Sequence, residues 1–98
     1  MIIRWVKMTF HEQEVTDFLA MLEGRQARIR AFPGCLYLEV VQDVHYPNII
    51  FSHSHWEDEN ALNAYRHSDF FKKTWSMTKP RFAAPAQAWT VQRLHELL

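Results

Sequence analysis

Apolar and polar residues alternate in four segments of this chain. The segments cover residues 2–10, 35–43, 49–56 and 86–93. In a β-strand, successive side chains point to opposite faces, so every second residue shares a face. In the first segment both faces are largely apolar, with Trp5 on one and Met8 on the other. The alternation therefore predicts four strands.

Helical spacing appears between these strands. The first predicted helix follows strand one and has an apolar stripe made of Val15, Phe18, Leu19, Leu22 and Ile29. It ends at Pro33 and Gly34, which do not continue a helix. The basic residues of its last turns, which are expected to be solvated, are Arg25, Arg28 and Arg30. After strand three, Asp58 and Ser68 are placed to cap two shorter helices.

The predicted element order is β-α-β-β-α-β, with the second helix divided in two. This order is typical of the ferredoxin-like α+β fold, in which helices cover one face of an antiparallel sheet. Residues 1–98 are expected to form one such domain. The uncovered face is predicted to carry Ile3, Trp5, Tyr37, Phe51 and Trp89. An apolar face of this kind needs a partner, and a homodimer packed sheet to sheet is the simplest solution.

Charge and cysteine content narrow the possible partners. Eleven basic and eleven acidic residues give a formal net charge of zero, so the chain lacks the basic surface that nucleic acids and anionic membranes attract. No run approaches the roughly 20 apolar residues that span a bilayer, and Arg4 and Lys7 interrupt the N-terminal apolar segment. The single cysteine, Cys35, fits a reducing compartment. We expect a cytoplasmic protein that binds neither nucleic acid nor membrane.

Aromatic residues are concentrated around the crossover from the third strand into the following helices. The chain has seven Phe, four Trp and three Tyr, more aromatic bulk than a small core usually needs. We predict a pocket between the sheet and the divided second helix. Its expected aromatic walls are Trp56, Tyr65, Phe71 and Trp75, and its first- and third-strand residues are Arg4, Val6, Ser52 and Ser54. The alternative is that the four aromatic residues only form core.

Two histidines, His53 and His55, are two positions apart on the third strand. Their side chains should share a face about 7 Å apart. They could ligate one metal ion, with Glu39 or His67 as a third ligand, although protein metal sites usually offer three or four ligands. Alternatively, they could line the dimer cavity or its rim, or one could act as a general base. The prediction is that no metal is bound.

Three sequence segments, together with the element order, resemble the antibiotic biosynthesis monooxygenase superfamily. These are FPGC at residues 32–35, SHWEDENALNAYRHSDFF at 54–71 and FAAPAQAWTV at 82–91. The resemblance implies a small dimeric α+β barrel. Relatives include cofactor-free quinone-forming monooxygenases, haem-degrading enzymes and autoinducer-processing enzymes, so the resemblance indicates the fold better than the chemistry.

The haem-degrading branch does not fit this chain. Val6, Tyr65 and Trp75 stand where that branch has asparagine, tryptophan and a histidine ligand, and a tryptophan cannot ligate iron. The cofactor-free branch fits better, because Trp56 matches a tryptophan of the quinone-forming members. Ser52 stands where some of them have asparagine.

The sequence thus favours a cofactor-free monooxygenase that oxidises a small aromatic or quinol-type substrate with dioxygen. The candidate catalytic residues are Arg4, His53 and His55. Arg4 would pair with the substrate oxyanion and favour its ionised form. The alternative is a non-catalytic module that binds a small apolar ligand in the same pocket. A catalytic base within reach of the ligand would distinguish the two.

Overall fold

The computed structural model describes residues 1–98 and contains four strands and four α-helices. The strands are β1 (Ile2–Thr9), β2 (Cys35–Gln42), β3 (Ile49–Trp56) and β4 (Gln87–Val91). The helices are α1 (Val15–Glu23), α2 (Gln26–Arg30), α3 (Glu59–Arg66) and α4 (Asp69–Thr78), with 3-10 turns at Glu12–Glu14 and Lys79–Arg81. None of the helices has the length and apolar character required to cross a bilayer.

The four strands form one antiparallel sheet in the order β2-β3-β1-β4. Arg4 on β1 is opposite Ser54 on β3 and Thr90 on β4. The predicted ferredoxin-like α+β fold is confirmed, with the helices on one face of the sheet. We call that face the cavity face; its residues include Arg4, Val6, Met8, Leu38, Val40, Ser52, Ser54, Trp56 and Ala88.

The opposite face carries the alternate residues of the same strands, and we call it the open face. Its residues include Ile3, Trp5, Tyr37, Glu39, Val41, Phe51, His53, His55, Trp89 and Val91. Five of its apolar residues form a shallow hollow, namely Trp5, Val41, Phe51, Trp89 and Val91. No helix packs over this hollow, so large apolar side chains remain exposed there.

The first helical segment differs from the single helix that its apolar stripe predicts. It breaks between Glu23 and Gln26, because Gly24 ends α1 as its C-cap and Arg25 has a non-helical φ of −123°. Glycine is a poor helix former, which makes it a natural place for the break. The two helices after β3 are divided as predicted: Asp58 accepts a hydrogen bond from the Ala61 amide, and Ser68 from the Phe71 amide.

The basic residues near the end of the first helical segment are not simply solvated. Arg25 donates to Thr74 Oγ1 at 2.8 Å, and Arg30 donates to the Cys35 carbonyl at 2.7 Å. The guanidinium groups of Arg25 and Arg28 also lie over the ring of Phe70. These arginines therefore fasten α2 to α4 and β2.

The buried core has two small clusters under the helices. One consists of Met8, Phe10, Phe18 and Ile50, and the other of Cys35, Trp56 and Leu62. Members of both clusters, including Phe18 and Trp56, also border a cavity between the sheet and the helices. The helical face is therefore packed around a space rather than filled throughout.

Candidate ligand-binding cavity

A cavity of about 330 Å³ lies between the cavity face of the sheet and the helices. Twenty residues line it, and fourteen of these are hydrophobic. The volume falls within the range of small-molecule sites, and an apolar lining with a few polar groups is typical of them. Phe18, Leu22 and Ile29 from the first helical segment contribute to one wall, so the cavity extends beyond the divided second helix.

All eight predicted pocket residues line this one cavity. They are Arg4, Val6, Ser52, Ser54, Trp56, Tyr65, Phe71 and Trp75. Strand alternation explains the sheet members, because even-numbered positions of β1 and β3 point to the same side. Arg66, Thr74 and Thr78 also line the cavity, and the sequence pattern did not identify them. Arg66 is adjacent in sequence to Tyr65, but nothing in the helical pattern separates it from an ordinary solvent-exposed arginine.

The aromatic residues form a continuous wall. The ring of Tyr65 stacks on Trp56 at a centroid distance of 5.1 Å and an interplanar angle of 23°. The same tyrosine makes an edge contact with Phe71, which is nearly parallel to Trp75 at 6.0 Å. Trp56 is fully buried. It is therefore part of the core and also borders the cavity.

Three hydroxyl groups of the cavity differ in their hydrogen bonds. Ser54 Oγ accepts a hydrogen bond from Trp56 Nε1 at 3.0 Å, which satisfies the buried indole. Ser52 Oγ and the Tyr65 phenol form no hydrogen bond within the chain, although both residues line the cavity. Burial, with a smaller contribution from Cys35, raises the pKa of Tyr65. Tyr65 therefore stays neutral and keeps its proton as a hydrogen-bond donor.

Two arginines are the only charged residues of the cavity lining, Arg4 and Arg66. Arg4 Nη1 donates to Thr90 Oγ1 at 2.8 Å. Neither guanidinium lies within ion-pair distance of a carboxylate. Burial, and then the nearby charge of Arg66, lower the pKa of Arg4. The cavity therefore holds uncompensated positive charge.

No aspartate, glutamate or histidine lines the cavity. His53 and His55, considered as general-base candidates, lie on the open face of the sheet. The reason is strand alternation: Ser52, Ser54 and Trp56 point into the cavity, so the residues between them point away. The sheet itself separates the two imidazoles from any ligand in the cavity.

On the open face, the two histidines belong to a hydrogen-bonded chain. The Tyr37 hydroxyl donates to Glu39 Oε2 at 2.7 Å, and Glu39 Oε1 contacts His53 Nδ1 at 2.9 Å. His53 Nε2 lies 3.1 Å from His55 Nε2. The His53 ring also stacks on Trp5 at 4.1 Å. This chain explains why polar residues occur on an otherwise apolar face.

The same contacts affect two acid–base groups. Hydrogen bonds from His53 and then Tyr37 lower the pKa of Glu39, and burial followed by the charge of His53 lowers the pKa of His55.

The other candidate metal ligand, His67, lies on the helical side, where its Nδ1 bonds the Asn63 carbonyl at 2.7 Å. No set of three or more His, Cys, Asp or Glu side chains is arranged to hold a metal ion.

The fold and the cavity define a small ferredoxin-like α+β domain with an internal cavity. The chain belongs to the antibiotic biosynthesis monooxygenase family, whose sequence model matches residues 1–75. This agrees with the resemblance carried by residues 32–35 and 54–71. No curated protein sequence is detectably similar to this chain.

Solved structures share the fold at low sequence identity. An antibiotic biosynthesis monooxygenase superposes with a TM-score of 0.91 at 14% identity, covering 97% of this chain and 100% of the other. A conserved protein from Methanosarcina mazei Go1 gives 0.88 at 21% identity, with 95% and 93% covered. A protein from Pseudomonas aeruginosa gives 0.85 at 19% identity, with 96% and 94% covered. At such identities the likeness shows the fold alone.

Proposed function

We propose that this protein is a cofactor-free monooxygenase that oxidises a small phenol or quinol with dioxygen. The observation that carries the proposal is an apolar, aromatic-walled cavity in which Arg4 has no carboxylate partner. A planar substrate would stack against the wall formed by Tyr65, Phe71 and Trp75, with Trp56 behind Tyr65. Its oxygen would face the arginine. Family membership is consistent with this chemistry.

The residues of the cavity would favour the reactive, ionised form of the substrate. An adjacent opposite charge can lower a phenol's pKa by about 1–3 units, and Arg4 would supply that charge. Tyr65, kept neutral by burial, would donate a hydrogen bond to a substrate oxygen. The apolar lining would keep bulk water from the reacting atoms.

The reaction is balanced without an added reductant. The ionised substrate passes an electron to dioxygen, and the two radicals combine to form a bond between a ring carbon and one oxygen atom. The O–O bond then breaks; the first oxygen stays on the ring as the new quinone carbonyl, and the second leaves as water. The water takes up the phenolic hydrogen and the hydrogen of the attacked ring carbon. The substrate supplies all four electrons that reduce dioxygen.

The proposal includes a homodimer formed through the open face. The hollow formed by Trp5, Val41, Phe51, Trp89 and Val91 is apolar and has no cover within the chain. A second copy offers a matching apolar face, which supports the dimer that the family resemblance implies. Light scattering at micromolar concentration should give twice the mass of the chain, and a monomer would contradict the proposal. The buried free thiol of Cys35 suits the cytoplasmic location that we propose with it.

A second candidate function is a non-catalytic module that binds a small apolar ligand in the same cavity. The observation that favours it is the absence of aspartate, glutamate and histidine from the cavity lining. Without a base, only substrates that ionise readily would react. The module would bind the same compounds without consuming oxygen.

Oxygen uptake by metal-free protein, with no added cofactor, separates the two functions. The panel should contain quinols, anthrones and polyphenols of graded acidity. For the enzyme we expect uptake and quinone formation in equal amounts, with rates at least tenfold lower in Arg4→Ala. The matched control is Lys73→Ala, which removes one positive charge from an exposed position of α4 and should leave the rate unchanged. Tight binding without uptake above the protein-free background would favour the binding module.

A further inference from the structure

Arg66 is a second cation of the cavity. It is the last residue of α3, directly after Tyr65, and its side chain is exposed at one side of the cavity that it lines. It is close enough to Arg4 for its charge to lower the pKa of that guanidinium. Two like charges are thus held near each other beside an apolar wall. An anionic ligand in the cavity would be attracted to both charges.

Three other arginines of the chain contrast with this pair. Arg81 forms an ion pair with Glu14, Arg93 with Glu96, and Arg30 donates to a backbone carbonyl. Arg4 has only the neutral hydroxyl of Thr90, and Arg66 has no partner within the chain. Arg4 and Arg66 therefore both border the cavity without a carboxylate partner.

The negative charge that would balance Arg4 and Arg66 must therefore be part of the ligand. Because no base lines the cavity, a group that needs help to lose its proton would enter neutral. A carboxylate is already ionised at neutral pH, and its two oxygens match the paired N–H donors of an arginine. The unpaired hydroxyls of Ser52 and Tyr65 add neutral donors nearby.

We infer that the ligand of this cavity is a planar aromatic carboxylate, with Arg4 and Arg66 binding the carboxylate and the aromatic wall binding the ring. The inference rests on the cavity being the substrate site proposed above, and it makes Arg66 a residue that determines specificity. With an oxidisable hydroxyl next to the carboxylate on the ring, Arg4 would contact both oxygens through its several N–H donors, as the proposed reaction requires. The cavity volume of about 330 Å³ leaves room for a compound of two fused rings.

Binding, measured apart from turnover, tests this inference. The probes are 2-naphthoate and its neutral analogue 2-naphthamide, titrated by calorimetry and by quenching of tryptophan fluorescence. We expect naphthoate to bind at least about tenfold more tightly than naphthamide, as one charge-assisted hydrogen bond provides. The difference should shrink as salt is added, because Arg66 is solvent-exposed.

Variants of Arg66 test whether this residue causes the preference for naphthoate over naphthamide. Arg66→Ala should weaken naphthoate binding about tenfold and change naphthamide binding less than about twofold. Arg66→Lys should recover part of the loss, because it keeps the charge but not the paired donors. Lys73→Ala should change neither affinity. Circular dichroism of each variant verifies that it is folded.

The outcomes separate this inference from the proposed reaction. Equal affinities for the two probes, unchanged in Arg66→Ala, would overturn the inference and leave the monooxygenase proposal standing. A preference for naphthoate that depends on Arg66, in a protein that oxidises no quinol, would support the inference and contradict the monooxygenase. If neither probe binds at millimolar concentration, this inference fails, and the oxygen-uptake assay alone decides the monooxygenase proposal.

Discussion

His55 Nε2 lies 3.1 Å from His53 Nε2, so in this hydrogen bond one ring nitrogen donates and the other accepts. Neutral His53 donates from Nδ1 to the Glu39 carboxylate, which leaves its Nε2 as an acceptor. His55 must then donate from Nε2. If both rings were protonated, two N–H groups and two positive charges would face each other.

The first prediction is that the folded protein loses stability as the pH falls through the neutral-to-acid range. Burial and the charge of His53 lower the pKa of His55 below its ordinary value of 6.5. Below pH 6.5 the unfolded chain therefore binds more protons than the folded protein, so the stability falls with pH. Thermal unfolding should give a lower Tm at pH 5.5 than at pH 7.5. The pKa of Glu39 is lowered from 4.5, so this carboxyl does not titrate within that window.

Two histidine variants test whether the pH dependence of Tm arises from the His53–His55 pair. His55→Gln should flatten the dependence of Tm on pH, because it removes the titrating ring. His45→Gln changes an exposed histidine outside the pair and should keep the dependence of the parent protein. If the proposed dimer uses the open face, its dissociation constant should rise as the pH falls from 7.5 to 5.5. A Tm that is constant from pH 7.5 to 5.5 would contradict this account.

The second prediction separates the two serines of the cavity. Ser54→Ala removes the acceptor of Trp56 Nε1 and leaves a buried indole N–H unpaired, which should cost about 1–3 kcal/mol in the free energy of unfolding. Ser52→Ala removes a hydroxyl with no partner in the chain and should change stability by less than about 0.5 kcal/mol. Urea denaturation of both variants provides the comparison, and equal stabilities would refute it.

The third prediction concerns the two glycines. Gly34 has a φ of +85°, and an added Cβ would collide with the Cβ of Ala61 on α3. Gly34→Ala should therefore destabilise the protein by about 1–3 kcal/mol. Gly24 has a φ of −77°, and an added Cβ would have an ordinary contact with the Met21 carbonyl. Gly24→Ala should be neutral or stabilise by up to about 1 kcal/mol in the same denaturation experiment. If the two variants were equally stable, the close approach of Gly34 to α3 would have no energetic importance.

Strand alternation and helix caps allowed the fold to be predicted from the sequence. Both are local signals: Asp58 and Ser68 bond amides three residues ahead. The break at Gly24 was not predicted, because the apolar stripe of the first helical segment continues across it. Arg25 and Arg28 could not be assigned contacts either, since their partner Phe70 is more than 40 positions away in the sequence.

The cavity shows the same division between local and long-range information. Alternation along β3 separates Ser52 and Ser54 from His53 and His55, and this much follows from the sequence. Which face receives the helices, and hence which set lines the cavity, depends on how the sheet packs. Arg66 was missed because its importance comes from the proximity of Arg4, which lies on a distant part of the chain. The proximity of charged residues that are far apart in the sequence leaves no periodic pattern in that sequence.

The last prediction is that the Tyr65 hydroxyl serves the ligand and not the fold. It forms no hydrogen bond within the chain, and burial raises its pKa above the ordinary value of 10.0. Tyr65→Phe should therefore leave the free energy of unfolding unchanged or slightly higher, while naphthoate binding weakens about tenfold. Because the phenol stays protonated, its contribution should be constant from pH 6 to 9. Tyr46→Phe removes a hydroxyl from an exposed turn and should alter neither property. If Tyr65→Phe lowered stability by more than about 1 kcal/mol with binding intact, the hydroxyl would be structural.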